Sequence, residues 1–473
     1  VSRLSSRVAV LISLAALVGA AAALMAPLAQ AGGYGSDPTA GVIAQLKGKS
    51  GCLADGGHGA KKCTSVRALE GPGPFLGSRA VAVSPDGKNV YVASSDSDAI
   101  AIFRRDAKTG ELSQASGSAG CIAAAAADGC ANGAGLDGPN SVAVSPDGRS
   151  VYATAVDSDS IAIFRRNPGN GALEQAPGDA GCIAEAGAGG CRTGRALDGA
   201  DVVVVSPDGA NVYVGAFFGS AVVVFSRDES TGALVQPPGP AGCITNIPDP
   251  GCVNGRALGA IEGLAISADG NSVYAAAAAS NALAILVRDP STGALSQASD
   301  GSGCITQSDT SGCTTGRQLS GANAVDVSPD DTTVYVTSLF SNSVTTFART
   351  PGTGQLAQLE GTSGCLVYLV AIGCRLGQAL DAPEGLALSP DGTSLYATAF
   401  DSGAVDVFER AANSGEIRQK PLKAGCVAIR KQRNCALGRR LVGASSGVVS
   451  PNGKNVYVTA FGSDAVGVFK RTR

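Results

Sequence analysis

Hydrophobic and polar residues alternate along this chain in short runs, and the runs recur. In Ser141-Val142-Ala143-Val144-Ser145-Pro146-Asp147-Gly148 an apolar stretch with the period of two of a β-strand drives into a Ser-Pro-Asp-Gly turn. Counted on the serine, the copies fall at Ser84, Ser145, Ser206, Ser267, Ser328, Ser389 and Ser450, seven units at a constant spacing of 61 residues. A fixed period of that length means a repeat architecture, in which each unit buries its apolar faces only against its neighbours.

The unit anchored on Ser145 predicts four short strands: A over Ser141 to Val144, B over Ser150 to Ala155, C over Ser160 to Arg165 and D over Gly171 to Gln175. Strand B carries a tyrosine seven residues after every anchor (Tyr91, Tyr152, Tyr213, Tyr274, Tyr335, Tyr396 and Tyr457). Strand C carries Phe103, Phe164, Phe225, Leu286, Phe347, Phe408 and Phe469 at one fixed position. A large side chain at the same place in every unit is what sheet-on-sheet packing requires, so these are core rungs. The last unit stops after strand C, at Ala465 to Lys470, without a strand D. The missing strand stands near the other end of the chain, where Gly41 to Cys52 matches Gly110 to Cys121. Seven four-stranded antiparallel sheets closed by a borrowed N-terminal strand predict an all-β, seven-bladed β-propeller over residues 41–473.

Composition agrees with this. The 473 residues include 65 Gly, 22 Pro and no Trp, and only 16% are charged, which suits short strands and tight turns. A formal charge of −3 provides no global field toward nucleic acid or a membrane. Residues 1–31 read as a secretory signal, with Arg3 and Arg7 before an apolar stretch from Val8 to Met25 and Ala29-Gln30-Ala31 as a cleavage site. Residues 32–40 read as a short linker. The expectation is an exported bacterial protein, secreted or at the cell surface, monomeric and without a membrane span once the signal is cleaved.

Fourteen cysteines form seven close pairs, Cys52/Cys63, Cys121/Cys130, Cys182/Cys191, Cys243/Cys252, Cys304/Cys313, Cys365/Cys374 and Cys426/Cys435. Six read C-x8-C at one phase of the repeat, which predicts one local disulfide per unit in an oxidising compartment. A metal site is disfavoured, because each unit has two thiols and the chain a single histidine. No cofactor is implied.

Asn211-Val212-Tyr213-Val214, Tyr335-Val336-Thr337-Ser338 and Tyr457-Val458-Thr459-Ala460, each after its turn, resemble the YVTN and lactonase-type seven-bladed propellers, blade after blade over residues 41–473. That family includes 6-phosphogluconolactonase-like and carboxymuconate cyclase-like enzymes as well as binding and surface proteins. The resemblance implies a histidine in strand A, in a Pro-His-x-x-x-x-Ser-Pro-Asp-Gly pattern. Here Pro139 is followed by Asn140 and Pro383 by Glu384, and the single histidine, His58, lies elsewhere.

Strand A is expected to line the central channel, and the position five before each anchor its mouth. The residues there are Arg79, Asn140, Asp201, Glu262, Asn323, Glu384 and Ser445. Such a polar ring suits a small ligand, with Glu262 or Glu384 as a candidate base and Arg79 as a partner for an enolate or carboxylate. The recurring Arg67, Arg195, Arg256, Arg317 and Arg439 point to blade-to-blade bridging or backbone capping rather than anion binding. Phe217, Phe218, Phe340, Phe400 and Phe461 fall at the B to C bends, where packing beneath the stapled loops is favoured over a stacking platform. Asp96/Asp98 and Asp157/Asp159 share those bends but lack the full oxygen set of a calcium site.

The stapled segments are expected to crown one face of the ring, and they differ from one another. Cys365 to Cys374, with Tyr368 at its centre, is almost wholly apolar, whereas Cys426 to Cys435 carries Arg430, Lys431 and Arg433. With Lys47, Lys49, Lys61 and Lys62 they suggest a greasy, positive sector around blades 6, 7 and 1, suited to an anionic or amphipathic envelope component. The apolar segment either faces out or folds down onto its own blade. Two functions stand side by side: a ligand- or surface-binding module working through the stapled face, and a lactonase-like hydrolase or cycloisomerase acting on a small carboxylated lactone in the funnel.

Overall fold

The computed structural model describes residues 39–56, 62–72, 80–125, 129–308, 312–430 and 434–473. The signal segment, most of the linker, His58, Lys61, Arg79, Lys431 and Arg433 lie outside the described residues. The chain forms seven sheets, one per repeat, with no α-helix among the described residues.

In blade 2, strands A (Pro139–Val144), B (Ser150–Ala155) and C (Ser160–Arg166) pair antiparallel, with Val142 opposite Ala153 and Tyr152 opposite Ile163. The turn between A and B is set by its sequence. Ser145 Oγ donates to Asp147 Oδ1 at 2.5 Å, and Gly148 takes φ +68°, where any side chain would be strained. Strand B is buried at every residue, and its Tyr152 and the strand C rung Phe164 are 0% and 1% exposed. Successive sheets pack face to face, so the core is a ring of like clusters between blades.

The outer edge of each blade is more elaborate than one strand. Strand D (Leu173–Gln175) pairs with the far end of strand C, and a 3-10 turn (Gly178–Gly181) then steps the chain sideways. Strand E (Cys182–Glu185) continues along the same edge, Ile183 opposite Ile161, and strand F (Arg192–Gly194) runs parallel to E. Gly181 permits the step, since a Cβ there would lie 2.6 Å from the Ala176 carbonyl oxygen.

The cysteines pair as their phase in the repeat requires: Cys52–Cys63, Cys121–Cys130, Cys182–Cys191, Cys243–Cys252, Cys304–Cys313, Cys365–Cys374 and Cys426–Cys435. Each bridge joins the start of strand E to the residue before strand F, with Cα atoms 4.8–5.0 Å apart. The position of the bridges differs from the expected crown on one face. Because E and F are strands on the blade edge, Cys63, Cys130, Cys191, Cys252 and Cys313 are buried against their own sheets. Each segment also belongs to the blade before it, so the segments starting at Cys365, Cys426 and Cys52 lie on blades 5, 6 and 7 and not on blades 6, 7 and 1.

The ring closes as the repeat pattern requires. Ile43–Gln45 serves as strand D of blade 7, Ile43 opposite Arg471 and Gln45 opposite Phe469, and Cys52–Asp55 follows as its strand E. Two clasps tie each blade to the next, and a third joins them in five of the seven blades. Arg166, at the end of strand C, donates to Tyr91 Oη at 2.9 Å and to Asp86 Oδ2 at 2.8 Å in the preceding blade. Its counterparts Arg227, Arg288, Arg349, Arg410 and Arg471 do the same, while Arg105 meets Asn452 because blade 7 has Asn in that turn. A glutamine at the end of strand D, such as Gln175, holds both backbone groups of Ala134 in the blade before. The arginine after strand F completes the set: Arg439 donates to the Leu46, Gly48 and Lys62 carbonyl oxygens across the closing seam. The five recurring arginines are backbone caps between blades.

Candidate functional site

Each of the mouth residues described sits on an irregularity. The A–B register slips between Pro139 and Ser141, and likewise at Asp201, Glu262, Asn323, Glu384 and Ser445, so one strand A residue has no partner opposite. Such a bulge re-aims a side chain that regular pairing would direct into the interface between blades. It also buries these groups: Asp201, Glu262, Asn323, Glu384 and Ser445 are at most 3% exposed, and Asn140 is half-buried.

The ring divides by chemistry. Asn323 is fully satisfied, donating to the Pro383 carbonyl at 3.0 Å and accepting from Thr337 Oγ1 at 2.8 Å. Ser445 pairs with Thr459 Oγ1 at 3.0 Å. The acids are not satisfied. Asn140 Nδ2 donates to Asp201 Oδ1 at 2.6 Å, but Asp201 Oδ2, Glu262 Oε2 and Glu384 Oε2 are buried without a partner. Burial pushes the Asp201 carboxyl up to about 8, with the Asn140 bond acting in the opposite direction. Glu262 is raised well above the ordinary range by burial and then by the charge of Asp201, and Glu384 by burial and then by the charges of Glu262 and Asp401. Burial thus holds all three acids back from ionising, and the charge of Asp201 on Glu262 and of Glu262 on Glu384 adds to it.

Beside Asp201 opens a cavity of about 300 Å³, walled by Asn140 and Asp201, by Asp96 and Asp157 of the B to C bends, and by Phe217, Phe218 and Phe461, and not by Glu262 or Glu384. The phenylalanines therefore wall the mouth instead of packing beneath the stapled segments, and Phe218 is 51% exposed. Among the described lining residues there is no cationic side chain. Burial raises Asp157, and the charge of Asp98 adds to it. Asp98 and Asp159 each use one carboxylate oxygen to cap the next blade, accepting from the Gly138 and Gly199 amides. Deeper in the channel, two to four residues further along the same strands, a second cavity of about 300 Å³ is walled mainly by Val, Ala and Ile, with Asp326 among them.

Tyr368 and Arg430, candidates from the stapled segments, are exposed on the outer edges of blades 5 and 6, away from this mouth. The cysteines lie on those edges too, and none of the fourteen lines the mouth cavity. The structure brings together the strand A acids and leaves the edge residues as a separate surface. Two groups escaped the sequence reading. Asp406 on strand C of blade 6 is buried, accepts from Gln419 at 2.6 Å and has its other oxygen unpartnered. The strand C arginines also went unremarked, although an arginine two residues after every large rung, seven times in seven, is a legible signal.

Comparison with known proteins fits this geometry. A family model described as lactonase, 7-bladed beta-propeller, matches residues 67–124 and 300–427. The chain is a seven-bladed β-propeller, similar over those residues to the lactonase propellers. Among solved structures, a putative 6-phosphogluconolactonase from Bacteroides fragilis is 17% identical, covering 84% of this chain and 90% of its own, at a TM-score of 0.51. A periplasmic gluconolactonase from Pseudomonas aeruginosa is 19% identical over 71% of this chain and 82% of its own, at 0.48. Hydrazine synthase from Kuenenia stuttgartiensis is 17% identical over 85% and 97%, also at 0.48. At such identities the likeness concerns the fold alone, and a propeller by itself specifies no chemistry. No curated protein matches the chain. The seven disulfides of this propeller suit an extracytoplasmic setting.

Proposed function

We propose that this propeller is an exported lactone hydrolase working at the channel mouth, with Asp201 as its proton carrier. The observation that carries the reading is the partnerless second oxygen of a buried Asp201 in the wall of a ligand-sized cavity. A general base is most effective when its pKa lies near the working pH, and burial has moved Asp201 there. Asn140 fixes the orientation of the carboxylate through its other oxygen. In the proposed reaction ionised Asp201 accepts a proton from water as the oxygen attacks the lactone carbonyl. The ring C–O bond then breaks, and Asp201 returns the proton to the departing alkoxide, leaving a hydroxy acid. Mutual repulsion helps divide the roles, since Glu262 keeps its proton while Asp201 is charged. The acidic lining favours a neutral, hydroxyl-bearing lactone over a carboxylated one.

The test is hydrolysis of unphosphorylated sugar δ-lactones followed by pH-stat, with the spontaneous rate subtracted. The parent protein should turn such a lactone over with a kcat/KM that rises through about pH 8, and Asp201→Asn should lower kcat by about 10²-fold or more. An inactive parent, or an Asp201→Asn variant with unchanged kcat, would refute the assignment.

A further inference from the structure

What the fold itself needs recurs in all seven blades, as the strand C clasp arginines do, so a feature confined to adjacent blades serves something else. Two positions, four and twenty residues after each anchoring serine, carry such a feature. In blades 7, 1 and 2 both are cations: Lys454 and Lys470, Lys88 and Arg104, Arg149 and Arg165. Their counterparts in blades 3 to 6 include no cation, and one of them, Glu409, is an acid. All six cations are exposed, and none forms an ion pair among the described residues. Arg166 reaches back to blade 1, so Arg165 beside it points the other way, into a cavity of about 550 Å³ between blades 2 and 3. Arg149 lines the same cavity with Asn167 and with Ser230 and Thr231 of the blade 3 turn, and Glu174 is the one acid among its described lining residues. Blade 7 adds to the positive field by an omission. Its A to B turn has Asn452 where the other six have Asp, so buried Arg105 is held by Asn452, Asn455 and Tyr457 with no carboxylate among the described residues. Of the acids on this arc, Asp86 and Asp147 are already paired with Arg166 and Arg227, which leaves the exposed Asp106 and Glu111 on the C to D turn of blade 1. No large hydrophobic side chain is exposed on the arc among the described residues.

We propose that this arc of blades 7, 1 and 2 binds a linear anionic glycan, with one acidic unit seated in the cavity between blades 2 and 3. Cations repeated from blade to blade match a polymer whose carboxylates or phosphates recur along its length. Arg149 and Arg165 supply charge-assisted hydrogen bonds to the seated unit, and Asn167, Ser230 and Thr231 meet its hydroxyls. A bilayer fits less well, because the arc has nothing apolar to insert. A protein partner fits less well too, since protein contacts are built on buried aromatic anchors and are poor in Lys. Single-stranded nucleic acid would need exposed aromatic rings for its bases, and the arc has none among the described residues. The cations stand at the A to B end of their blades and the channel mouth at the B to C end, so a bound polymer leaves the mouth open. The inference is independent of the lactone chemistry.

The experiment is binding of the disulfide-intact protein to a polyuronate and to poly(glycerol phosphate), with neutral dextran as the reference. The parent should bind at least one of the charged polymers and not dextran, and added salt should weaken that binding. Arg149→Gln together with Arg165→Gln should weaken it by about threefold per charge, or about tenfold for the pair. Lys423→Gln together with Arg430→Gln removes the same charge from exposed positions on blade 6 and should change it by less than about twofold. Asn452→Asp, which gives Arg105 the carboxylate that its counterparts have, should weaken binding without lowering the melting temperature, so that the loss is separated from unfolding. The proposal is overturned if the parent binds neither charged polymer, or if the blade 6 variant loses as much as the blade 2 variant, which would reduce the binding to net charge. Tighter binding to duplex DNA, weakened by the same blade 2 glutamines, would assign the arc to nucleic acid and overturn it equally.

Discussion

At pH 7 the Asp201→Asn variant is expected to be more stable than the parent and to hydrolyse lactones with a kcat lower by about 10²-fold or more. The sign follows from linkage. In the unfolded chain Asp201 titrates near the ordinary value of about 3.9, and in the native protein at about 8. Between those values the native state holds a proton that the unfolded state has released, so stability is full below the lower value and declines as pH rises toward the upper one. The decline is at most about 1.4 kcal/mol per pH unit for each such group, or up to about 4 kcal/mol for Asp201 by pH 7. Asparagine has no proton to keep, and its amide oxygen still accepts from Asn140. Glu262→Gln and Glu384→Gln should shift stability in the same direction, because burial raises both acids. Urea midpoints at pH 5 and pH 7 provide the measurement: the gap between parent and variant should widen with pH. The turn aspartates act oppositely. Burial alone would raise Asp391, but hydrogen bonds from Arg471, Ser389 and Thr393 outweigh it and hold it below the usual carboxylate range. The stability it contributes is present above about pH 4 and lost as the pH falls through its lowered native value.

The second large effect concerns the seam. A chain starting at Ser50 lacks the strand over Ile43–Gln45 and leaves strand C of blade 7 with an open edge. It also loses Ile43, 3% exposed within the core cluster between blades 6 and 7, and the Gln45 clasp on Arg439. Ile43→Ala alone should cost about 2 to 5 kcal/mol, and the truncation more, with aggregation through the open edge. A peptide spanning residues 39–49 should bind the truncated protein by strand addition and restore much of the melting temperature. A truncated protein melting with the parent would mean that the ring does not depend on this strand.

Much of this architecture was legible in the sequence. Tyr152 and Phe164 recur because every blade must present the same rung to its neighbour, and Gly41 to Cys52 matched an internal D strand because it does the same work. The pairing of Cys182 with Cys191, and of its six counterparts, followed from phase alone. The division of the outer edge was not legible, since Leu173–Gln175 and Cys182–Glu185 are joined by a turn whose sideways step depends on where Ile161 offers hydrogen bonds. For that reason the bridges lie along blade edges and not over a face. The burial of the acid ring was hidden for a related reason. Asp201 reads as one more polar residue at a strand end, and only the bulge in strand A, with Asn140 of a blade 61 residues away as neighbour, takes it out of water. Sequence named Glu262 and Glu384 as candidate bases and left Asp201 among the ligand-binding positions of the ring. The structure gives Asp201 the oriented carboxylate and the cavity.

The claim on which the function depends is that burial has moved the Asp201 carboxyl up to about 8. Infrared spectroscopy of the protein in heavy water, across the carboxylic-acid carbonyl band, measures this directly. The account predicts a protonated-carboxyl signal that persists at pH 7, falls by one group through about pH 8, and loses that group when Asp201 is replaced by asparagine. A parent protein whose carboxyls are all ionised by pH 6 would contradict it.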